Sequence, residues 1–260
     1  MIKIEDIELW HGDCLELMSD IPDNTIDLTV TSPPYDDLRT YNENINQWSF
    51  AKFQEIAKEL YRITKNGGTI VWIVNDATIN GTETGTSFKQ ALWFKEIGFN
   101  LHDTMIWEKP TFTAVGALKT KYAQVFEYMF IFTKGKIKTF NPIKDRKNKY
   151  VGTIGGNHRG GLCTRGEYGA RFNIWKYDNG KYNTTKDLIA FHHPAVFPEQ
   201  LANDHIISWS NPNEIVFDPF MGSGTTAKMA MLNNRRFIGC EISEEYCNII
   251  KDRLNNVQYS

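Results

Sequence analysis

Glu214-Ile215-Val216-Phe217-Asp218-Pro219-Phe220-Met221-Gly222-Ser223-Gly224-Thr225-Thr226 is an apolar run, a glycine-rich turn and the start of a helix. The run reads as a buried strand. The turn lets the backbone come close to a ligand at a helix N-terminus. Gly222-x-Gly224 alone fits many nucleotide binders. Its surroundings narrow the choice. Arg236-Phe237-Ile238-Gly239-Cys240 reads as the next strand and ends at Glu241, 17 residues after Gly224. A carboxylate there can accept hydrogen bonds from both hydroxyls of a ribose. No phosphate-binding lysine follows the glycines, so this is not a P-loop. A nucleoside-type cofactor is expected. Ser243 caps a last helix, with Glu244 and Glu245 near its positive end.

The rest of the chain repeats the strand–helix alternation. Residues 7–12 alternate apolar and polar and read as a first strand, which leaves Asp13 and Cys14 at its C-terminal edge. A short helix follows over Leu15 to Met18. Ile26 to Val30 reads as a short buried strand. Phe50 to Thr64 has apolar residues at 53, 56, 57, 60 and 63, a helical period, and Gly67-Gly68 is expected to end that helix. Thr69 to Val74 reads as a strand buried on both faces. A Gly/Thr-rich loop at 80–86 leads into a helix stopped at Gly98, and Phe99 to Trp107 is a further strand. Pro198 suits the first turn of a helix running through Leu201, Ile206 and Trp209. Short connections between alternating elements imply a largely parallel α/β sheet.

Thr31-Ser32-Pro33-Pro34-Tyr35 follows the strand at 26–30. Two prolines fix the chain in a stiff, extended exit and use up no acceptors. Ser32 offers a hydroxyl, the proline carbonyls accept hydrogen bonds, and Tyr35 offers a flat ring. Together they suit a planar heterocycle held by its exocyclic amine.

Residues 109–186 break the pattern. Tyr122 to Thr133 could still form one long strand. Beyond it lie little apolar periodicity and seven glycines between Val151 and Ala170. This middle carries 16 Lys+Arg against 4 Asp+Glu, and the remainder carries 13 against 27, so a net charge of −2 conceals a basic centre in an acidic frame. That is a candidate footprint for a polyanion. Tyr150, Tyr168, Phe172, Trp175, Tyr177 and Tyr182 interleave with the basic residues, which suits bases and phosphates. Arg159, Arg165 and Arg171, beside the glycines, are candidate DNA contacts, with Lys119, Lys121 and, in the loop at 36–48, Arg39. Trp48 in that loop could equally anchor it to the core.

The 260 residues suffice for one large α/β domain with an insertion, and 41% hydrophobic and 23% charged residues are ordinary for a soluble protein. No run nears the roughly 18 apolar residues that span a bilayer. The N-terminus lacks the apolar core of a signal peptide. Cys14, Cys163, Cys240 and Cys247 have neither metal-ligand nor disulfide spacing, so a reducing cytosol and no metal are expected. His192 and His193 read as turn-shaping residues, and Trp72, Trp93, Trp107, Cys240 and Cys247 as core.

Taken together, VTSPPY at 30–35 and FDPFMGSGTT at 217–226 resemble the amino-methylating DNA methyltransferases of the β arrangement. HGDCLELM at 11–18, HPAVFPEQLA at 193–202 and FIGCEIS at 237–243 add to the resemblance. It covers most of the chain except the basic middle. It implies a Rossmann-like, mostly parallel twisted sheet with helices on both faces, and S-adenosylmethionine as methyl donor. It implies methylation of cytosine N4 or adenine N6 in double-stranded DNA. It divides the chain into a catalytic half (1–108), a target recognition region (109–186) and a cofactor half (187–260). By resemblance Phe220, Gly222 and Gly224 line the cofactor, with Asp218 and Thr225 of the same motif. Glu241 holds the ribose, Asp13 and Cys14 lie near the adenine, and His193 to Glu199, including Pro198, closes over the methionine end. Ser32, Pro33, Pro34 and Tyr35 hold the flipped base. Ser before Pro-Pro favours cytosine over adenine. Methylation at cytosine C5 is rejected, because it needs a cysteine nucleophile, usually after a proline, and no cysteine here follows one. The resemblance also allows a homodimer and implies a cytoplasmic protein of prokaryotic or phage origin. A DNA-binding protein that kept the fold but lost turnover is the alternative of another class, and methylation of RNA or of a protein amide is a third.

Overall fold

The computed structural model describes residues 2–4, 6–34, 48–111, 121–156 and 162–257. The first half of the chain supplies β1 (Ile2–Ile4), β2 (Ile7–His11), α1 (Cys14–Met18), β3 (Ile26–Thr31), α2 (Phe50–Ile63), β4 (Thr64–Val74), the hairpin β5 (Thr78–Ile79) and β6 (Thr82–Glu83), α3 (Thr86–Glu96) and β7 (Phe99–Glu108). The middle supplies β8 (Phe126–Lys134), the short strands β9 (Arg146–Lys147), β10 (Ile154–Gly156), β11 (Leu162–Thr164) and β12 (Tyr168–Gly169), and β13 (Ile174–Lys176). The last third supplies α4 (Glu199–Trp209), β14 (Ile215–Asp218), α5 (Thr225–Leu232), β15 (Arg236–Glu241) and α6 (Glu244–Asn255).

Nine strands form one sheet in the order β1-β2-β15-β14-β3-β4-β8-β7-β13. Within it β1 and β8 run against the others. Alternate side chains of each central strand enter different cores, which is why these strands read as continuous apolar runs. Ile70 and Trp72 of β4 and Phe130 and Phe132 of β8 pack with Met18, Phe53, Leu60 and Phe94 from α1, α2 and α3. Val71, Ile73, Met129 and Ile131 pack with Leu201, Ile206, Ala230 and Ile250 from α4, α5 and α6. Helices of the first half thus cover one face and helices of the last third the other.

Three local readings change. α2 ends at Ile63 rather than at Gly67-Gly68, because Thr64 is already extended and pairs with Ile26. The glycines serve a bulge in β4 instead. Gly67 has φ +88°, and a Cβ on Gly68 would lie 3.0 Å from the Asp27 carbonyl. The Gly/Thr-rich loop holds the β5–β6 hairpin, turned by Asn80 and Gly81 at φ 49° and 81°, the conformation an Asn-Gly turn favours. The basic middle is not wholly irregular. β8 lies inside the sheet, as the run 122–133 predicts, but β13 also pairs in parallel with β7, with Trp175 buried and Trp107 Nε1 donating to the Tyr177 carbonyl at 3.0 Å.

Candidate active site

Both sequence motifs leave the sheet at the same edge. β3 and β14 are neighbours, and each ends in one of the motifs. The helices change face across this part of the sheet, where open α/β sheets bind ligands. Asp218 ties the two motifs together. Its Oδ1 accepts from Thr31 Oγ1 at 2.6 Å and from the Phe220 amide at 3.0 Å. Thr226 Oγ1 donates to the Val30 carbonyl at 3.3 Å. Asp218 is buried, and burial pushes its carboxyl up to about 6.

The adjoining cavity encloses about 1200 Å³, above the roughly 300–1000 Å³ of a single small-molecule site. Its wall on the β2, β15 and β14 side is formed by Gly12, Asp13, Cys14, Phe220 to Ser223, Thr225, Cys240 to Glu244 and Tyr246. Asp13 caps α1 through the Leu15 amide at 2.8 Å and pairs with Lys52 at 3.1 Å. Glu241 is 8% exposed and receives the amides of Gly222 at 2.8 Å and Ser243 at 2.9 Å, one on each oxygen. Burial raises its carboxyl to about 7, and the amide hydrogen bonds only partly offset that. Gly222 has φ +52°, and a Cβ there would stand 2.9 Å from the His193 ring. That ring meets Tyr246 edge-on with centroids 4.4 Å apart, while its Nδ1 lies 3.1 Å from the Ala195 amide. The Phe220 ring meets Trp48 and Trp72 edge-on, with centroids 5.5 and 6.3 Å apart, and the rest of the loop at 36–48 lies outside the described residues.

Ser32, Pro33 and Pro34 stand between this wall and a second one. The second wall includes Ile79 and Thr84 of the hairpin region, Lys89, Trp107, Lys109, Glu127, and Asn179 to Lys181 from the end of the basic middle. Trp107 and Glu127 are cross-strand partners on β7 and β8. Lys109 pairs with Glu127 and lies over the Trp107 ring, 4.8 Å from its centroid. His193 to Phe197 complete the enclosure.

The geometry sorts the sequence-derived candidates. Asp13, Cys14, Ser32, Pro33, Pro34, Phe220, Gly222, Thr225 and Glu241 line the cavity. Asp218, Gly224 and Pro198 are not among its lining residues. Asp218 holds the two motifs together, as above. Gly224 has φ +79°, and a Cβ there would meet Ile250 at 2.9 Å, so it serves the contact with α6. Pro198 precedes α4 and accepts the Leu201 and Ala202 amides. Arg171 is not a free DNA contact. It pairs with Asp145 at 2.5 Å and with Asp204 at 2.6 Å, and it also donates to the Tyr177 hydroxyl. Lys121 holds Thr78 and Glu83 of the hairpin at 2.8 and 3.1 Å. Arg165 is exposed beside the β10–β11 pair. Tyr35, Arg39, Lys119 and Arg159 lie outside the described residues.

Trp107, Lys109 and Glu127 were not anticipated as cavity residues, and Trp107 read as core. One signal was present: Glu127 interrupts the otherwise apolar run 125–132, and a buried carboxylate needs a partner. Among the described residues, no cluster of three or more His, Cys, Asp or Glu could hold a metal ion, and no helix is long and apolar enough to cross a membrane.

Comparison with known proteins shows the family. A DNA methylase family model, that of the N6/N4 enzymes, matches residues 26–252. The orphan methyltransferase M.BamHII of Bacillus amyloliquefaciens is 58% identical over 254 residues, covering 92% of each chain. The solved PvuII cytosine-N4-specific DNA methyltransferase superposes with a TM-score of 0.74 at 22% identity, over 96% of this chain and 88% of that one. The solved complex of M1.HpyAVI with SAM gives 0.64 at 24% identity, over 95% and 100%. The chain therefore belongs to the N6/N4 DNA methylase family and is an S-adenosylmethionine-dependent DNA methyltransferase.

Proposed function

We propose that this enzyme methylates N4 of a cytosine flipped out of double-stranded DNA, within a specific sequence. The observation that carries the proposal is Ser32-Pro33-Pro34 standing between two walls of one cavity large enough for a cofactor and a base. The serine before the prolines, together with the cytosine-N4 specificity of the similarly folded PvuII enzyme, favours cytosine over adenine.

The cofactor half fits S-adenosylmethionine. The buried Glu241 carboxylate faces the cavity with backbone amides fixing both oxygens, ready for the ribose hydroxyls. Phe220 offers a ring held by two tryptophans, and Asp13 and Cys14 offer polar atoms for the adenine. His193 to Phe197 close the methionine end. The bound cofactor supplies a methyl group already activated on a sulfonium sulfur. The chain's own task is to hold the amine. The exocyclic amine of cytosine has its lone pair delocalised into the ring. Ser32 Oγ and the Pro33 carbonyl accept its N–H groups and favour a tetrahedral nitrogen whose lone pair faces the methyl group. Tyr35 stacks on the base and offsets the few kcal/mol of stacking lost on flipping. Trp107, Lys109 and Glu127 border the base. The region 109–186 reads the target, with Arg165 among its phosphate contacts.

The test is methyl transfer from labelled S-adenosylmethionine to unmethylated DNA, followed by digestion and nucleoside mass spectrometry. Label in N4-methylcytosine is expected. Label in N6-methyladenine overturns the choice of base and leaves the amine-holding site in place.

A further inference from the structure

Behind the cofactor wall lies a group of four charges that the methyl-transfer chemistry does not use. Arg253, in the last turn of α6, has a fully buried side chain. A basic residue near a helix C-terminus ordinarily faces water and the helix dipole. This one points inward. Its Nη1 donates to the Ser223 carbonyl at 2.5 Å and lies 3.2 and 3.3 Å from the hydroxyls of Ser223 and Thr225. Its Nε donates to Asp187 at 3.1 Å and its Nη2 to Glu199 at 2.8 Å. Lys228 of α5 bridges the same two carboxylates, each at 2.8 Å. Two cations and two anions balance.

The two ends of this group lie behind two different parts of the cavity. Ser223 and Thr225 are cavity residues on either side of Gly224. Asp187 and Glu199 flank the segment that carries His193 to Phe197. That segment is closed at its base, where Thr185 Oγ1 donates to Glu199 at 2.6 Å and the Glu199 amide to the Thr184 carbonyl at 3.0 Å. It is therefore a loop with its ends pinned together, and Arg253 bolts it to the glycine turn. Only a planar fork can serve both sides at once; an ammonium is a single point.

We propose that Arg253 is a positioning residue for the methyl donor. It sets the Ser223 carbonyl, and with it the Gly222–Thr225 turn, in register with the loop that carries His193 to Phe197. Cofactor affinity then depends on a guanidinium that lines no part of the cavity. The proposal rests on S-adenosylmethionine binding in the wall around Glu241 and is independent of which base is methylated.

Lys228 supplies the control, because it touches the two carboxylates and not the turn. Equilibrium dialysis with labelled S-adenosylmethionine, without DNA, is run on the wild type, Arg253→Lys and Lys228→Met, with thermal midpoints measured alongside. Arg253→Lys is expected to weaken binding tenfold or more, with Lys228→Met within threefold of wild type at a comparable loss of midpoint. At saturating cofactor, kcat and the KM for DNA of Arg253→Lys stay near wild type. If Arg253→Lys does not fold, Asp187→Asn, which leaves the arginine in place, is expected to weaken binding at least threefold. Binding unchanged in Arg253→Lys, or in Asp187→Asn where Arg253→Lys does not fold, or weakened equally in Arg253→Lys and Lys228→Met, overturns the proposal. Failure of the wild type to bind would instead contradict the cofactor assignment itself.

Discussion

In the proposed cofactor site Glu241 is the residue on which binding should turn, and its environment should make that binding depend on pH. Burial holds its carboxyl near 7, against an ordinary 4.5. The unfolded chain releases this proton first as pH rises, so the group's contribution to stability is present below about 4.5 and is lost as pH rises through about 7. The ionised form is the better acceptor for two ribose hydroxyls, so the cofactor pulls the carboxyl toward its charged state. Affinity for S-adenosylmethionine should fall by up to about tenfold per pH unit below 7, the limit for one coupled proton. Glu241→Gln should bind weakly with that dependence flattened. Titration calorimetry from pH 5.5 to 8.5 checks this, and an unchanged pH profile in the variant would assign the proton elsewhere. Ser32, Phe220, Gly222 and Glu241 were legible one by one, because each belongs to a contiguous motif whose chemistry is local. Asp218 stood inside the same motif. Its bond to Thr31, 187 positions away, has no trace in the sequence, so its positioning of the turn after β3 appears only when β3 and β14 are side by side.

Among the elements, β13 explains why a basic segment need not be a nucleic-acid surface throughout. Charge count and aromatic content place Arg165 and Arg171 in one class. The fold separates them. Arg171 joins Asp145, Asp204 and Tyr177, and its guanidinium lies over Trp175, so it fastens β13 and the preceding turns onto α4. Arg165 stands exposed beside β10 and β11. Arg171→Ala should cost about 3 kcal/mol of stability, since it strips a buried Asp204 of its cation. Arg165→Ala should leave the thermal midpoint unchanged, weaken DNA binding at all sequences and lower the slope of log affinity against log salt by about one. Thermal melts and salt-dependent binding isotherms separate the two, and equal effects on both measurements would deny the distinction. The longer strands and the helices of the first half and last third followed from periodicity, because two-sided burial and amphipathic helices leave strong patterns, whereas the short β1 and the β5–β6 hairpin did not. β13 is three residues long and has one buried side chain, Trp175, so its pattern is too short to find.

At the scale of the whole molecule, sheet order does what no single motif can. The chain presents the Ser-Pro-Pro turn first, the basic middle second and the glycine-rich turn last. The parallel pairing of β3 with β14 then brings the first and last together at one edge. The middle returns to that edge through Asn179 to Lys181, so the basic middle borders the cavity proposed to receive the base. In the proposed reading, binding of the methyl donor and activation of the amine occupy adjacent, separable halves of one cavity. The most direct test is Ser32→Ala, assayed for transfer at saturating cofactor and DNA and for equilibrium binding of S-adenosylmethionine. A fall in kcat of about a hundredfold or more, with cofactor affinity within twofold of wild type, is the predicted result. Full transfer by the variant would contradict the account.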